Sequence, residues 1–395
     1  MKSKLLLLGI FSAFFSCSPK IAKISAVEKF DLSQKLTGID CTFVNTKFHE
    51  VRPIIFQAKS KKPKNIIFML GDGMGLAQMY AGMTANKGKL NLENASHTGL
   101  HKTYSSDGYI TDSAAGATAF SAGVKTYNAA IGMDKDSLAV KTILEYAEEK
   151  GLATGLVATS TITHASPASF IAHKKHRNMY EAIATDFLKT DIDVFIGGGK
   201  DHFSKRKDGK NLLVELKNKG YQVLENIDEI AKVKSGKLAG LVAAEQPARY
   251  SEGRDEMLSK ATKTAINLLK QNEKGFFLMI EGSQIDWGGH ANDLRYVVEE
   301  MLDFDKVIGE VFEFAAKDGE TLVIITADHE TGGLTLNGGS IAQAKVRGIF
   351  TSSYHTAVPV PVYAFGVGAE NFTGIYENIA IFDKMMDLFG FEKTK

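Results

Sequence analysis

The sequence predicts an α/β fold, a large and mostly parallel central sheet flanked by helices on both faces. Short apolar runs bounded by glycine alternate with segments of helical period. Those runs are apolar at nearly every position, as parallel strands covered on both faces must be. Acids and histidines gather just beyond their ends, where open α/β sheets bind ligands.

Residues 1–17 carry Lys2 and Lys4, then an apolar stretch from Leu5 to Phe15 that is too short to span a bilayer. This reads as an export signal. Ser16-Cys17 closes it where a lipoprotein signal places the lipidated cysteine, although Phe14-Phe15-Ser16 matches a lipobox only loosely. The expectation is an exported chain, periplasmic or at the cell surface, anchored through Cys17. With Cys17 lipidated, Cys41 is the only other cysteine, so no internal disulfide forms. Residues 18–64, ending in the lysine-rich Lys59–Lys64, read as a tether and lead-in. A single catalytic domain then covers 65–395.

Within it, strands are expected over Asn65–Leu70, Ala153–Thr159, Asp193–Ile196, Gly275–Ile280, Thr321–Thr326 and Val360–Phe365. A helix is expected over Ser137–Lys150. Another follows His290, where Leu294, Val297, Val298, Met301, Leu302, Ile308, Val311 and Phe312 form an apolar stripe and Glu299, Glu300 and Lys306 fall outside it. A 44% hydrophobic content over 395 residues supports a large core. Lysine and arginine total 47 against 46 acids, a net charge of +1, so nucleic-acid binding has no electrostatic support.

Six segments carry chemistry. Asp72 ends a strand inside Gly71-Asp-Gly-Met-Gly75, whose glycines let backbone approach a metal or phosphate; alone, such an acid is commonly a turn-former. Ser113 opens the small-residue run Ser113–Gly123, and free amides at a helix start favour an anion. A serine needs a base or a metal to become a nucleophile. In Thr163–Ser169, an extended segment would turn His164 and Ser166 to one side, with Pro167 keeping it extended. Arg177 follows, and its planar fork suits two phosphate oxygens. Glu281 precedes Asp286 and His290, which are four apart and of zinc-ligand type. Asp328-His329 ends another strand, and His355 precedes the last apolar run. Each could be structural alone, but six such clusters are hard to explain by packing, because buried charges need partners or metal.

In order, GDGMG, TDSAAGATAFSAG, THASPA, EGSQIDWGGH, TADHETGG and HTAVPVPVYAFG closely resemble the signature segments of bacterial and animal alkaline phosphatases. The resemblance runs from about Asn65 to the C-terminus. It implies hydrolysis of small phosphate monoesters, with Ser113 forming a phosphoseryl intermediate and Arg177 holding the substrate oxygens. It implies one zinc on Asp286, His290 and His355, and a second on Asp72, Asp328 and His329. A third ion, usually magnesium, would use Asp72, Ser166 and Glu281; His164, aspartate in some members, makes that site less acidic and admits cobalt or a further zinc. The stretch from Gly333 to Tyr354 is short where animal enzymes carry a crown insert at their dimer interface, which leaves a homodimer open. The alternatives are a phosphodiesterase or sulfatase-like member of the same superfamily, or a non-catalytic protein that binds metal or phosphate at the surface. The C/S-x-P-x-R pattern of sulfatases is absent.

Overall fold

A computed structural model describes residues 39–393. Its strands, in chain order, are β1 (Ile39–Val44), β2 (Asn65–Gly71), β3 (His97–Lys102), β4 (Ala153–Thr161), β5 (Val194–Gly198), β6 (Gln222–Leu224), β7 (Leu238–Leu241) and β8 (Phe276–Gly282). They continue with β9 (Thr321–Thr326), β10 (Glu330–Thr331), β11 (Thr335–Ser340), β12 (Lys345–Phe350), β13 (His355–Thr356), β14 (Val360–Gly366) and β15 (Gly374–Glu377). Ten of them form one sheet in the order β15-β3-β14-β9-β2-β8-β4-β5-β7-β6.

All neighbouring pairs in that sheet are parallel except the two made by β14, which runs antiparallel to both β9 and β3. Successive residues of a strand point to opposite faces. In β2, Ile67 and Met69 join one buried cluster, which includes Val297, Met301 and Ile308 of helix Leu294–Asp318. Ile66, Phe68 and Leu70 join the other, with Phe120 and Ile143. Layers on both faces explain why the strands are apolar throughout.

Four features differ from the sequence expectations. The lead-in enters the fold well before Asn65: β1 pairs with β12, and with β11 they make a separate three-stranded sheet. The pairing partners of β1 in β12 lie some 300 positions away, which local periodicity does not register. Cys17 and the export segment lie outside the described residues. The helix expected from Ser137 begins at Ile143. Thr142 and Glu145 close a reciprocal capping box there, each accepting the other's backbone N–H, while Ser137 sits in a turn with φ of 63°. Glu300, placed outside the apolar stripe, is buried, because Arg254 from a neighbouring loop folds over it and pairs with both Glu300 and Asp303. Finally, Thr163–Ser169 is not extended. His164 caps a short helix, Ala165–Ala168, in which Pro167 occupies the first turn, where its missing N–H is no loss.

Candidate active site and metal centre

The parallel strands end at one rim. Asp72 follows β2, Glu281 is the next-to-last residue of β8, Asp328 and His329 follow β9, and His164 follows β4. His355 precedes β14 rather than following it. Because β14 is reversed, its start lies at the same rim as the ends of the others, and the β10–β13 pair sets Thr331 opposite His355.

Ser113 is the first residue of helix Ser113–Ala122 and is 1% exposed. Its Oγ lies 3.3 Å from His329 Nε2. Asp112 caps the helix: one carboxylate oxygen accepts from Ala115 N–H at 3.0 Å, and the other accepts from Ala129 N–H and from the Arg177 guanidinium, each at 3.0 Å. One carboxylate therefore sets both the serine's helix and the arginine.

Three groups of side chains are arranged to hold cations, with ligand atoms in each within 4.8 Å of one another. Helix Gln284–His290 puts Asp286 and His290 one turn apart at 3.4 Å, and His355 Nε2 lies 3.5 Å from the same Asp286 oxygen. In the second group, His329 Nε2 is 3.6 Å from Asp72 and 3.2 Å from Asp328. Asp72, His164 and Glu281 form the third, fully in the interior. Ser166 is also fully buried, its hydroxyl facing Glu281 without a formed hydrogen bond.

The charges here do not balance within the chain. Burial pushes the Asp72 carboxyl far up, and Asp328, Asp286 and Glu281 add repulsion. Burial pushes Glu281 up to about 7 and drives His164 and His355 down to about 3 and about 4. Burial works to raise Asp286 and Asp328 as well, but their neighbouring histidines outweigh it and hold both below the usual carboxylate range. Both oxygens of Asp72, one each of Asp328 and Glu281, the Ser166 hydroxyl and His164 Nδ1 make no hydrogen bond. Unpaired buried carboxylates cost several kcal/mol or more unless a cation meets them. The mixed nitrogen and oxygen donors fit divalent metals, with the histidine-rich first group suited to zinc.

Every candidate ligand, nucleophile and substrate-holding residue named from the sequence lies at this centre. Two were missed. Asp112 was legible as an acid immediately before a small-residue helix, a capping position. Thr331 had no such signal: its hydroxyl donates to Asp286 at 2.5 Å and lies 3.2 Å from His329 Nδ1, so it links the first and second groups.

Residues 63–348 match the family model described as Alkaline phosphatase. The chain is 44% identical over 294 residues to Alkaline phosphatase 3 of Bacillus subtilis (strain 168), an alignment covering 70% of this chain and 63% of that protein. It is 32% identical over 410 residues to the alkaline phosphatase of Escherichia coli (strain K12), covering 84% of this chain and 87% of the relative. Thus it spans less than two thirds of the length of the Bacillus protein, but most of the Escherichia one. Among solved structures, the alkaline phosphatase from the Antarctic bacterium TAB5 superposes with a TM-score of 0.80 at 44% identity, covering 84% of this chain and 99% of that one. With its motifs gathered at one rim of the sheet and this match over most of its length, the chain belongs to the alkaline phosphatase family.

Proposed function

We propose that this chain hydrolyses phosphate monoesters to an alcohol and inorganic phosphate through a phosphoseryl intermediate on Ser113. The observation that carries the reading is the buried Ser113 hydroxyl, 3.3 Å from His329 of a metal-type cluster, on a helix whose cap also holds Arg177.

Asp286, His290 and His355 would hold one zinc, and Asp72, Asp328 and His329 a second. Asp72, Ser166, Glu281 and His164 would hold a third ion. Its oxygens favour magnesium, and His164 admits zinc or cobalt; the TAB5 enzymes with Mg bound in the M3 site are variants in which a histidine is replaced by aspartate or glutamate. When bound, such ions supply Lewis acidity and neutralise charge on the attacking and leaving oxygens. Arg177, oriented by Asp112, offers its planar fork to two non-bridging phosphate oxygens. Ser113 Oγ attacks phosphorus in line as the bond from phosphorus to the alcohol oxygen breaks, and the alcohol takes up a proton. Water then attacks the phosphoseryl group from the vacated side, which releases phosphate and restores the serine hydroxyl.

Hydrolysis of a chromogenic monoester, with metals stripped and restored, tests the reading. Activity that needs zinc and vanishes in Ser113→Ala supports it. A fully metallated parent that ignores the monoester but cleaves a diester or sulfate ester rejects it. The apolar stretch before Cys17 supports export with a lipid anchor, which a labelled lipid precursor checks: the label stays with the parent and is absent from Cys17→Ser.

A further inference from the structure

The three ligand groups differ in access. Those containing Asp72 are buried throughout, whereas in the Asp286–His290–His355 group His290 is half-buried, its side chain 34% exposed. The site therefore opens to solvent beside His290. On the reading above, that opening is where the alcohol part of a monoester projects.

Tyr354 stands there. Its ring stacks on His355 at 4.5 Å between centroids and 6° between planes, and His355 in turn stacks on His329 at 3.5 Å and 16°. Tyr354 is thus the outermost ring of a column that starts next to Ser113. The ring centroid lies 6.1 Å from that of His290, yet Tyr354 as a whole is 49% exposed. Its backbone is held on both sides: the amide donates to Ser352 Oγ at 2.9 Å, the carbonyl accepts from Gly332 N–H at 2.9 Å, and the preceding carbonyl, of Ser353, is 2.8 Å from His290 Nδ1. A large aromatic side chain, pinned in place and left uncovered at the mouth of a polar site, offers a preformed surface for a planar ring at little entropic cost.

We infer that Tyr354 is a shelf that receives a planar aromatic ring carried by the alcohol part of the substrate. Resting on the phosphomonoesterase reading, the inference narrows it: nucleoside and aryl phosphates are preferred over monoesters of aliphatic alcohols. A matched pair isolates the ring, since adenosine 5′-monophosphate and ribose 5-phosphate present the same type of ester and differ by the base. Stacking a base on an aromatic side chain changes affinity enough for a preference of about tenfold.

The test uses the full, metal-loaded chain. The parent should show the higher kcat/KM for the nucleotide. Tyr354→Ala should lose about tenfold of that preference, in KM rather than kcat, while Tyr354→Phe keeps it. Calorimetric titration in a Ser113→Ala background, where turnover is stopped, should show Tyr354→Ala weakening binding of the nucleotide but not of ribose 5-phosphate. The inference is overturned if the parent treats both esters alike, or if Tyr354→Ala weakens both equally and loses zinc, which would mean that the ring only braces His355. Hydrolysis of neither ester by the parent would reject the phosphomonoesterase reading itself, and this inference with it.

Discussion

Asp112 shows how much one carboxylate decides at the residue scale. It caps the helix of Ser113 and at the same time fixes the Arg177 guanidinium. Losing a cap alone costs about 1 kcal/mol of stability. Losing the orientation of a substrate-holding group costs more in rate, on the order of 100-fold. Asp112→Ala is therefore expected to lower kcat/KM by about that factor while the protein still folds. Kinetics of the double variant check the cause: in an Arg177→Ala background, Asp112→Ala should cost little further, because both changes remove one unit. Independent, additive losses would show that Asp112 acts through the cap of the Ser113 helix instead of through Arg177.

At the scale of elements, the site depends on close approach between a helix and a loop. A Cβ added to Gly116, in helix Ser113–Ala122, would lie 2.9 Å from the Cβ of Asp328. Alanine is the better helix former by about 1 kcal/mol, but overpacking a buried contact costs about 1–3 kcal/mol, and here the displaced residue is a candidate ligand. Gly116→Ala should lower both zinc content and activity, measured on the purified protein; an unchanged zinc content would refute the contact. A second prediction concerns the helix Ile143–Glu149. Glu148 accepts from Thr154 Oγ1 and from Asp191 N–H, and burial pushes its carboxyl up from 4.5 to about 7. A carboxyl raised in the folded state contributes stability that is full below pH 4.5 and lost as pH rises through about 7. Glu148→Gln stays neutral, so its melting temperature should gain on the parent's between pH 4.5 and 7; a constant difference would contradict the shift.

Across the whole molecule, four acidic side chains from three strand ends and one helix meet in the interior: Asp72, Glu281, Asp328 and Asp286. Folding alone leaves them repelling one another. Cations that bind only the folded form stabilise it, by about 4 kcal/mol at a thousandfold excess over Kd. Chelation should therefore lower the melting temperature as well as abolish activity, and added zinc should restore both. Scanning calorimetry reads this without any substrate. A melting temperature indifferent to chelator would mean that the acids are accommodated without metal.

Composition and local pattern by themselves determined the α/β class, the strands Asn65–Leu70, Ala153–Thr159 and Thr321–Thr326 to within two residues, and the identity of the ligand candidates. Apolar runs and glycine-flanked acids are local signals, since burial on both faces and close backbone approach constrain the residues where they occur. Tertiary structure decided the rest. It reversed β14 so that His355 reaches the shared rim, folded Arg254 over Glu300, recruited Ile39–Val44 into a sheet with Lys345–Phe350, and set Thr331 between Asp286 and His329. Each of these depends on a partner far away in the chain, and no periodicity within a segment records which distant surface will cover it.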